Sequence, residues 1–575
     1  MKKTGPWDLH ALQPKDLAKE LQLIEQKAEL LEKKRHILTD TISVSTFMAF
    51  LKELEQFRAL TSKVGAYGSL TFAENSANQK AVADMSLIEQ SLTKVSNKLL
   101  FFGLWFKDLP DKKAKELISH SGDYHYHLEE IRKAKSYTLL EKEEQIINIK
   151  DVTGVGALNT IYSLLSSQFH FKYKGKPVSQ EELIVLARDP SPKVRKEAYH
   201  ILLQRYKENS QVIGEIYKNI INDWREESIT LRGYKNPLHV RNVANDIPDK
   251  AVEALLHVCE KNKSIFQEFF EIKRKKLGLK KMLRTDIYAP IKKGKEKKIP
   301  YGEALDMVVD VFGKFSPQFQ QGALEIIRAN HIHSNVQKNK QTGAFCSSVT
   351  AKLPPYCLWS YTGTLRDVST IAHELGHGVH HILAKGHSEF TFHASLPLAE
   401  TASIFAEMIL SEKISEKYPE KAKELLFYKI DDLYASIIRQ AGFVHFEIKA
   451  HEMMKEGKTI EEMSSLYLSE LKKQLGNKVV IDDEFAYEWC YVPHIFHTPF
   501  YCYAYAFGNL LTLALYETYK EKGQGFAEKI IALLAKGGSD SPENITKAVG
   551  IDICTEEFWQ KGFDVIKEMI EKVRP

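Results

Sequence analysis

Residues 363–387 read GTLRDVSTIAHELGHGVHHILAKGH, and the order of residue types in this stretch decides both the local fold and the chemistry. Thr364-Leu365-Arg366-Asp367 has the pattern of a capping box, in which a threonine hydroxyl and an acidic side chain three residues later each accept the other's backbone N–H. Residues 368–372 lead into His373-Glu374-Leu375-Gly376-His377, and Gly386 closes the segment behind Lys385. A helix is therefore expected. Residues four apart share one helix face, so His373 and His377 reach the same ion, and Glu374 stands one step round, beside the place of a water on that ion. Ile371, Ala372, Leu375 and Val379 make the surroundings apolar. Histidines and a glutamate buried among such residues need a partner, and a metal is the natural one.

Zinc takes four ligands, and a catalytic site keeps one for water, so a third protein ligand is required. A third motif histidine would need Gly at 380 and His at 383, where the chain has His380 and Leu383. The ligand is then a glutamate from a later segment, and Glu389, Glu400 and Glu407 are the candidates. Glu389 lies in the polar turn Gly-His-Ser-Glu. Glu400 and Glu407 lie in LPLAETASIFAEMILSEKI, an apolar helix opened by Pro397, two turns apart on one face. We assign Glu400 to the metal and Glu407 to a bond that orients a ligand histidine. His380, His381, His387 and His393 crowd the same region and are read as packed or lining side chains.

Around this helix the chain is long, 575 residues, which calls for more than one ordinary core. The formal net charge of +5 is small for that length and argues for neither nucleic acid nor membrane partners. No run approaches the roughly 20 apolar residues of a membrane span. The opening MKKTGPWDLHALQPKDLAKEL has two lysines and no apolar run behind them, so no signal peptide is expected. Cysteines 259, 346, 357, 490, 502 and 554 form no C-x-x-C pair, which suits free thiols and a cytoplasmic location.

Most of the chain reads as helix. LAKELQLIEQKAELLEKKRHIL (17–38) and SPKVRKEAYHILLQRYKENSQVIGEIYKNIINDW (191–224, opened by Ser191 and Pro192) carry apolar positions three and four apart. GAFCSSVT (343–350) and CLWSYT (357–362), separated by Pro354-Pro355, are the best strand candidates and predict a small sheet just before the metal helix. The basic stretch 272–300, with its Gly and Pro, reads as a solvated linker. The expected division is an N-terminal helical region (1–110), a helical lobe (111–272) and a catalytic region (273–575).

The motif and the segment LAETASIFAE together resemble the oligoendopeptidase F group of the thimet-oligopeptidase-type zinc metallopeptidases. RGYKNPL (232–238), DIYAP (286–290), GAFCSS (343–348) and PHIFHTPFYCYAYAFG (493–508) resemble it too, so the likeness covers at least residues 230–510. The resemblance implies one zinc ion held by His373, His377 and Glu400, with Glu374 as general base. It implies a mainly α, multi-helix ellipsoid with a deep channel that admits oligopeptides and excludes folded proteins.

In YVPHIFHTPFYCYAYAFGNLL, Thr498 and Pro499 read as a helix start, after which Tyr501 and Tyr505 lie four apart on one face. In the family a histidine and tyrosines of this region stabilise the oxyanion. The segment offers His494 and His497, and Tyr501, Tyr503 and Tyr505; His494, Tyr501 and Tyr505 are the favoured set. The reading is a zinc endopeptidase of short peptides. Its rivals are an exopeptidase of the dipeptidyl carboxypeptidase or carboxypeptidase type on the same scaffold, and a non-catalytic peptide-binding protein. The second predicts loss of at least one of His373, Glu374, His377 and Glu400, and all four are present.

Overall fold

The computed structural model describes residues 5–291 and 298–574 and is overwhelmingly helical, with three small sheets among the described residues. Among the described residues no helix is long and apolar enough to cross a membrane. The extreme N-terminal lysines lie outside the described residues. The described chain packs into two compact units, one drawn from Met1–Ser136, Glu296–Ile414 and Thr518–Ile551, the other from Tyr137–Lys295, Ser415–Glu517 and Asp552–Pro575. The sequence bounds at 110 and 272 fall inside these units, 272 within the helix Asp249–Lys276.

In the first unit, the helices Leu17–Lys33, Val44–Glu74 and Gln79–Asp108 pack around Leu21, Ile24, Leu31, Phe47, Phe50, Phe102 and Phe106. Phe47 stacks on Phe106 at 5.7 Å, and Phe50 meets Phe102 at 5.6 Å. Asp16 and Ser43 start the first two helices by accepting the N–H of Lys19 and Thr46 at 3.2 and 3.1 Å. A second cluster, of Trp7, Leu70, Ala73, Val349, Tyr356 and Leu358, ties the second helix to a three-stranded sheet.

That sheet has Tyr356–Leu358 in the middle, parallel to Ile332–His333 and antiparallel to Phe345–Ser347. The two strands expected from sequence are thus paired, with Cys346 opposite Cys357. Phe345–Ser347 is one of its two edges. The sheet backs directly onto the motif helix, where Cys357 Sγ lies 3.9 Å from the Glu374 carbonyl.

In the second unit the helical stretch expected over 191–224 is two helices, Pro192–Glu208 and Ser210–Arg225, parted at Asn209 (φ −107°, ψ 6°). The basic stretch 272–300 is no solvated linker over most of its length. It starts in the helix Asp249–Lys276, pairs Met282–Leu283 with Val479–Val480, and buries Arg284, Thr285 and Asp286. Asp286 accepts from Arg195 at 2.6 Å, and Lys273 donates to the Ile287 carbonyl at 2.6 Å. Charge count hides these buried pairs. Residues 292–297 of the stretch lie outside the described residues.

Candidate metal centre and histidine–tyrosine cluster

The motif helix runs Leu365–Ala384 and starts as its sequence predicts. Thr364 Oγ1 accepts the Asp367 N–H at 3.1 Å, while Asp367 Oδ2 accepts from the backbone of Thr364 and from both N–H and hydroxyl of Thr362. Burial would raise the Asp367 pKa, but the hydrogen bonds from Thr362 and Thr364 hold it below the usual carboxylate value.

Facing this helix, Leu396–Ala399 and Thr401–Lys417 are two helices rather than one, and Glu400 is the residue at the break. Glu400 Oε2 lies 3.5 Å from Nε2 of His373 and 3.5 Å from Nε2 of His377. Those gaps are too long for good hydrogen bonds. They match donor atoms around a tetrahedral zinc, which sit about 2.0–2.2 Å from the metal and so roughly 3.3–3.5 Å apart. Two imidazoles and a carboxylate are also the donor set zinc prefers, so the residues fit a metal ion, and their ligand atoms lie within 4.8 Å of one another.

Each donor is held from behind. His373 Nδ1 donates to Glu407 Oε1 at 2.6 Å, which leaves Nε2 as the lone-pair nitrogen. Ser403 Oγ donates to Glu400 Oε2 at 2.9 Å, and the Ala399 carbonyl accepts from His377. Gly376 makes the approach of the two helices feasible: a Cβ there would fall 2.6 Å from Ser403 Cα and 2.8 Å from the Ala402 carbonyl. The sequence reading found Glu407 but missed Ser403 and Gly376. The signal was present in the second half of H-E-x-G-H, because a glycine inside a helix asks for a packing reason.

Glu374 is buried, and burial lifts its pKa to about 7; His373 opposes that rise, and Glu400 and Glu407 add to it. The pocket in front has a volume of about 440 Å³ and is lined by His373, Glu374, His377, Glu400 and the edge-strand residues Phe345 and Cys346. His380 shares the lining but is buried, and its pKa is driven down to about 3, mainly by burial. His381 Nε2 donates to the Leu353 carbonyl at 2.9 Å, and His387 sits on Asp123 at 2.6 Å. Glu389 is not among the metal-facing groups; it accepts the Ala351 N–H at 3.1 Å.

The second unit holds the histidine–tyrosine segment. Its helix does not start at Pro499. Pro493–His497 is a short helix, Phe500 takes a left-handed φ of +58°, and the long helix starts only at Tyr503. The reason is tertiary: buried Glu447 accepts the Phe500 N–H at 2.8 Å, and Arg241 Nε donates to the Pro499 carbonyl at 3.0 Å. Tyr501 and Tyr505 are therefore not successive turns of one helix, yet they meet edge-on at 5.3 Å. His494 lies parallel to Tyr501 at 6.0 Å, and its Nε2 is 3.3 Å from the Tyr505 hydroxyl. Burial, with Arg439 nearby, lowers the His494 pKa. His497 is exposed beside Ser163, and the buried Tyr503 hydroxyl accepts from Asn245 at 2.9 Å.

The peptidase family M3 model matches residues 185–565, and an oligopeptidase F model matches residues 105–171. The chain belongs to peptidase family M3. It falls in the oligoendopeptidase F group of that family. An oligoendopeptidase F homolog of Borreliella burgdorferi is 25% identical over 584 residues, covering 99% of this chain and 97% of the relative. Oligopeptidase PepF of Bacillus subtilis is 24% identical, over 87% of this chain and 75% of the relative. The fold is shared with a putative peptidase from Chlamydophila abortus (TM-score 0.88, 24% identity, all of both chains). It is shared as well with oligoendopeptidase-F from Enterococcus faecium (TM-score 0.72, 18% identity, 97% of this chain and 99% of that one). This M3 member is a peptidase of peptide substrates, and its family implies a metal cofactor.

Proposed function

We propose that this M3 peptidase is a zinc-dependent endopeptidase of oligopeptides, with His373, His377 and Glu400 as the zinc ligands. The observation that carries the reading is the placement of Glu400 Oε2 at 3.5 Å from both histidine Nε2 atoms, with Glu407 locking one of them in the right tautomer. When bound there, zinc supplies a Lewis acid that polarises the scissile carbonyl and brings the pKa of a water toward about 7.

The chain's own residues do the rest. Glu374 accepts a proton from the attacking water on a carboxylate oxygen as the C–O bond forms. It returns that proton to the amide nitrogen as the C–N bond breaks. Its burial favours this exchange, because a carboxylate with a pKa near neutrality both takes and gives a proton readily. His494, Tyr501 and Tyr505 are proposed as donors to the developing oxyanion; the lowered pKa of His494 keeps it a neutral N–H donor.

Cleavage inside the peptide is favoured over end trimming. The metal pocket shares Ser348 and His393 with a larger groove in the same unit, so bound chain can continue past the metal. A cytoplasmic location is proposed from six cysteines that are all free, although Cys346 and Cys357 face each other. Two measurements test the proposal. Purified protein should carry zinc, and chelation should abolish cleavage that zinc restores. A peptide blocked at both ends should be cut internally. Protein that is active without a stoichiometric transition metal, or that cuts only peptides with free ends, overturns it.

A further inference from the structure

The groove that continues the metal pocket has a volume of about 840 Å³. Its walls are the helices Val44–Glu74 and Gln79–Asp108 and the residues after the edge strand. They are mostly apolar: Leu54, Phe57, Leu92, Val95, Leu99 and Phe102. One formally charged side chain lines it, Arg58.

Arg58 is exposed to the groove, and its guanidinium lies over the Phe390 ring at 5.2 Å. Phe390 is itself stacked on His127 at 4.5 Å, so the cation rests on a built aromatic platform. Among the described residues no carboxylate pairs with it and no acceptor takes its N–H groups. The two acids nearby are committed elsewhere. Glu389 accepts the Ala351 N–H, and Glu55 accepts the Tyr124 hydroxyl and the Glu389 N–H. The surrounding protein lowers the Arg58 pKa, with Glu389 opposing at longer range. His127 and His393 in the same groove are driven to about 4, by burial first and then by Arg58, so they are neutral at neutral pH. The groove therefore presents one cation, seated over the Phe390 ring, with its hydrogen-bonding fork unused.

We propose that Arg58 is a carboxylate-binding subsite of the peptide groove. It receives either the C-terminal carboxylate of the substrate or an acidic side chain at a fixed distance from the scissile bond. The proposal rests on the peptidase reading above. A planar guanidinium pairs with a carboxylate through two parallel N–H···O bonds. A neutral peptide filling the same groove offers the guanidinium only uncharged carbonyl acceptors, whose hydrogen bonds are weaker than a charge-assisted pair. Arg58 therefore selects among peptides, while the chemistry belongs to the residues around Glu374.

The test uses internally quenched peptides of one length and one core sequence: a C-terminal free acid, the C-terminal amide, and amides with a single Glu walked along the chain. The expected result is a lower KM, by about 10- to 100-fold, for one carboxylate placement over the plain amide. A free-acid advantage identifies the terminal carboxylate, and an advantage confined to one Glu position identifies a side chain. Arg58→Gln should bring that ratio near one, and Arg58→Lys should leave it between. The same peptides titrated onto Glu374→Gln protein should show the same order of affinities without turnover, so the Arg58 proposal is read even where cleavage fails. Wild-type protein that binds acid and amide peptides alike, or Arg58→Gln protein that keeps the ratio, overturns the proposal. Peptides that bind in the expected order but are never cut leave Arg58 standing and sink the catalytic reading instead.

Discussion

Two buried glutamates, one in each unit, show how the same residue becomes scaffold or, as proposed for Glu374, chemistry. Glu488 in the second unit is completely enclosed and saturated. Arg284 and Arg439 donate to it, and the hydroxyls of Tyr467 and Tyr491 lie 3.0 and 3.2 Å away. Burial would raise its pKa, but the two guanidinium groups and two phenols hold it below the ordinary glutamate value. Glu374 in the first unit is also buried, yet its pKa moves the other way, to about 7, because burial dominates and two other carboxylates face it. A satisfied charge fixes structure, whereas an unsatisfied one stores reactivity.

The largest expected contrast comes from removing each glutamate. Glu374→Gln should lower kcat by about 10²- to 10⁴-fold, with zinc content and melting temperature unchanged. Glu488→Ala should instead cost about 3–5 kcal/mol of stability, since it leaves the buried Arg284 and the half-buried Arg439 without their anion. Kinetics, elemental analysis and denaturant melts on both variants check this. A Glu374→Gln protein that keeps more than a tenth of the wild-type kcat would place the base elsewhere.

A smaller effect sharpens the view of the metal side. Glu407 touches His373 and not the ion position, so Glu407→Gln should weaken zinc by about 10- to 100-fold while a stoichiometric ion still loads at high zinc. Competition with a chelator measures it. Failure to load zinc at any concentration would make Glu407 a ligand.

The smallest effect concerns a pair outside both clusters. Asp123 accepts from His387, Thr391 and the Ser388 N–H, and its pKa falls to about 2 even though burial opposes the shift, while that of His387 rises. A depressed carboxylate contributes stability that is full above its unfolded pKa of about 3.9 and is lost as pH falls through about 2. The raised histidine contributes stability that is full below its unfolded pKa of about 6.5 and is lost as pH rises through its folded value. Asp123→Asn should therefore lower the melting temperature between about pH 4 and 6, where both contributions are full, by an amount within the ~1 kcal/mol usual for partly exposed ion pairs, and the difference should shrink as pH falls toward 2 or rises through the folded pKa of His387. Equal melting curves for the two proteins across that range would show that the pair adds nothing.

Local order carried much of this molecule into view before any coordinates. The motif helix, its capping box, the strands around Cys346 and Cys357, and the spacing of Glu400 and Glu407 were legible because each depends on residues within a few turns of one another. Three decisions were out of reach from sequence. Thr498-Pro499 has every mark of a helix start, but Glu447, 53 residues earlier, holds Phe500 left-handed and delays the helix to Tyr503. The basic stretch after residue 272 looked solvated because its anions, Asp431 and Glu488, come from elsewhere in the chain. Arg58 became a groove cation only when folding brought Phe390 beneath it and gave the nearby acids other partners. Periodicity and capping are short-range physics and can be read along the chain, whereas which buried charge finds a partner is settled only when distant segments meet.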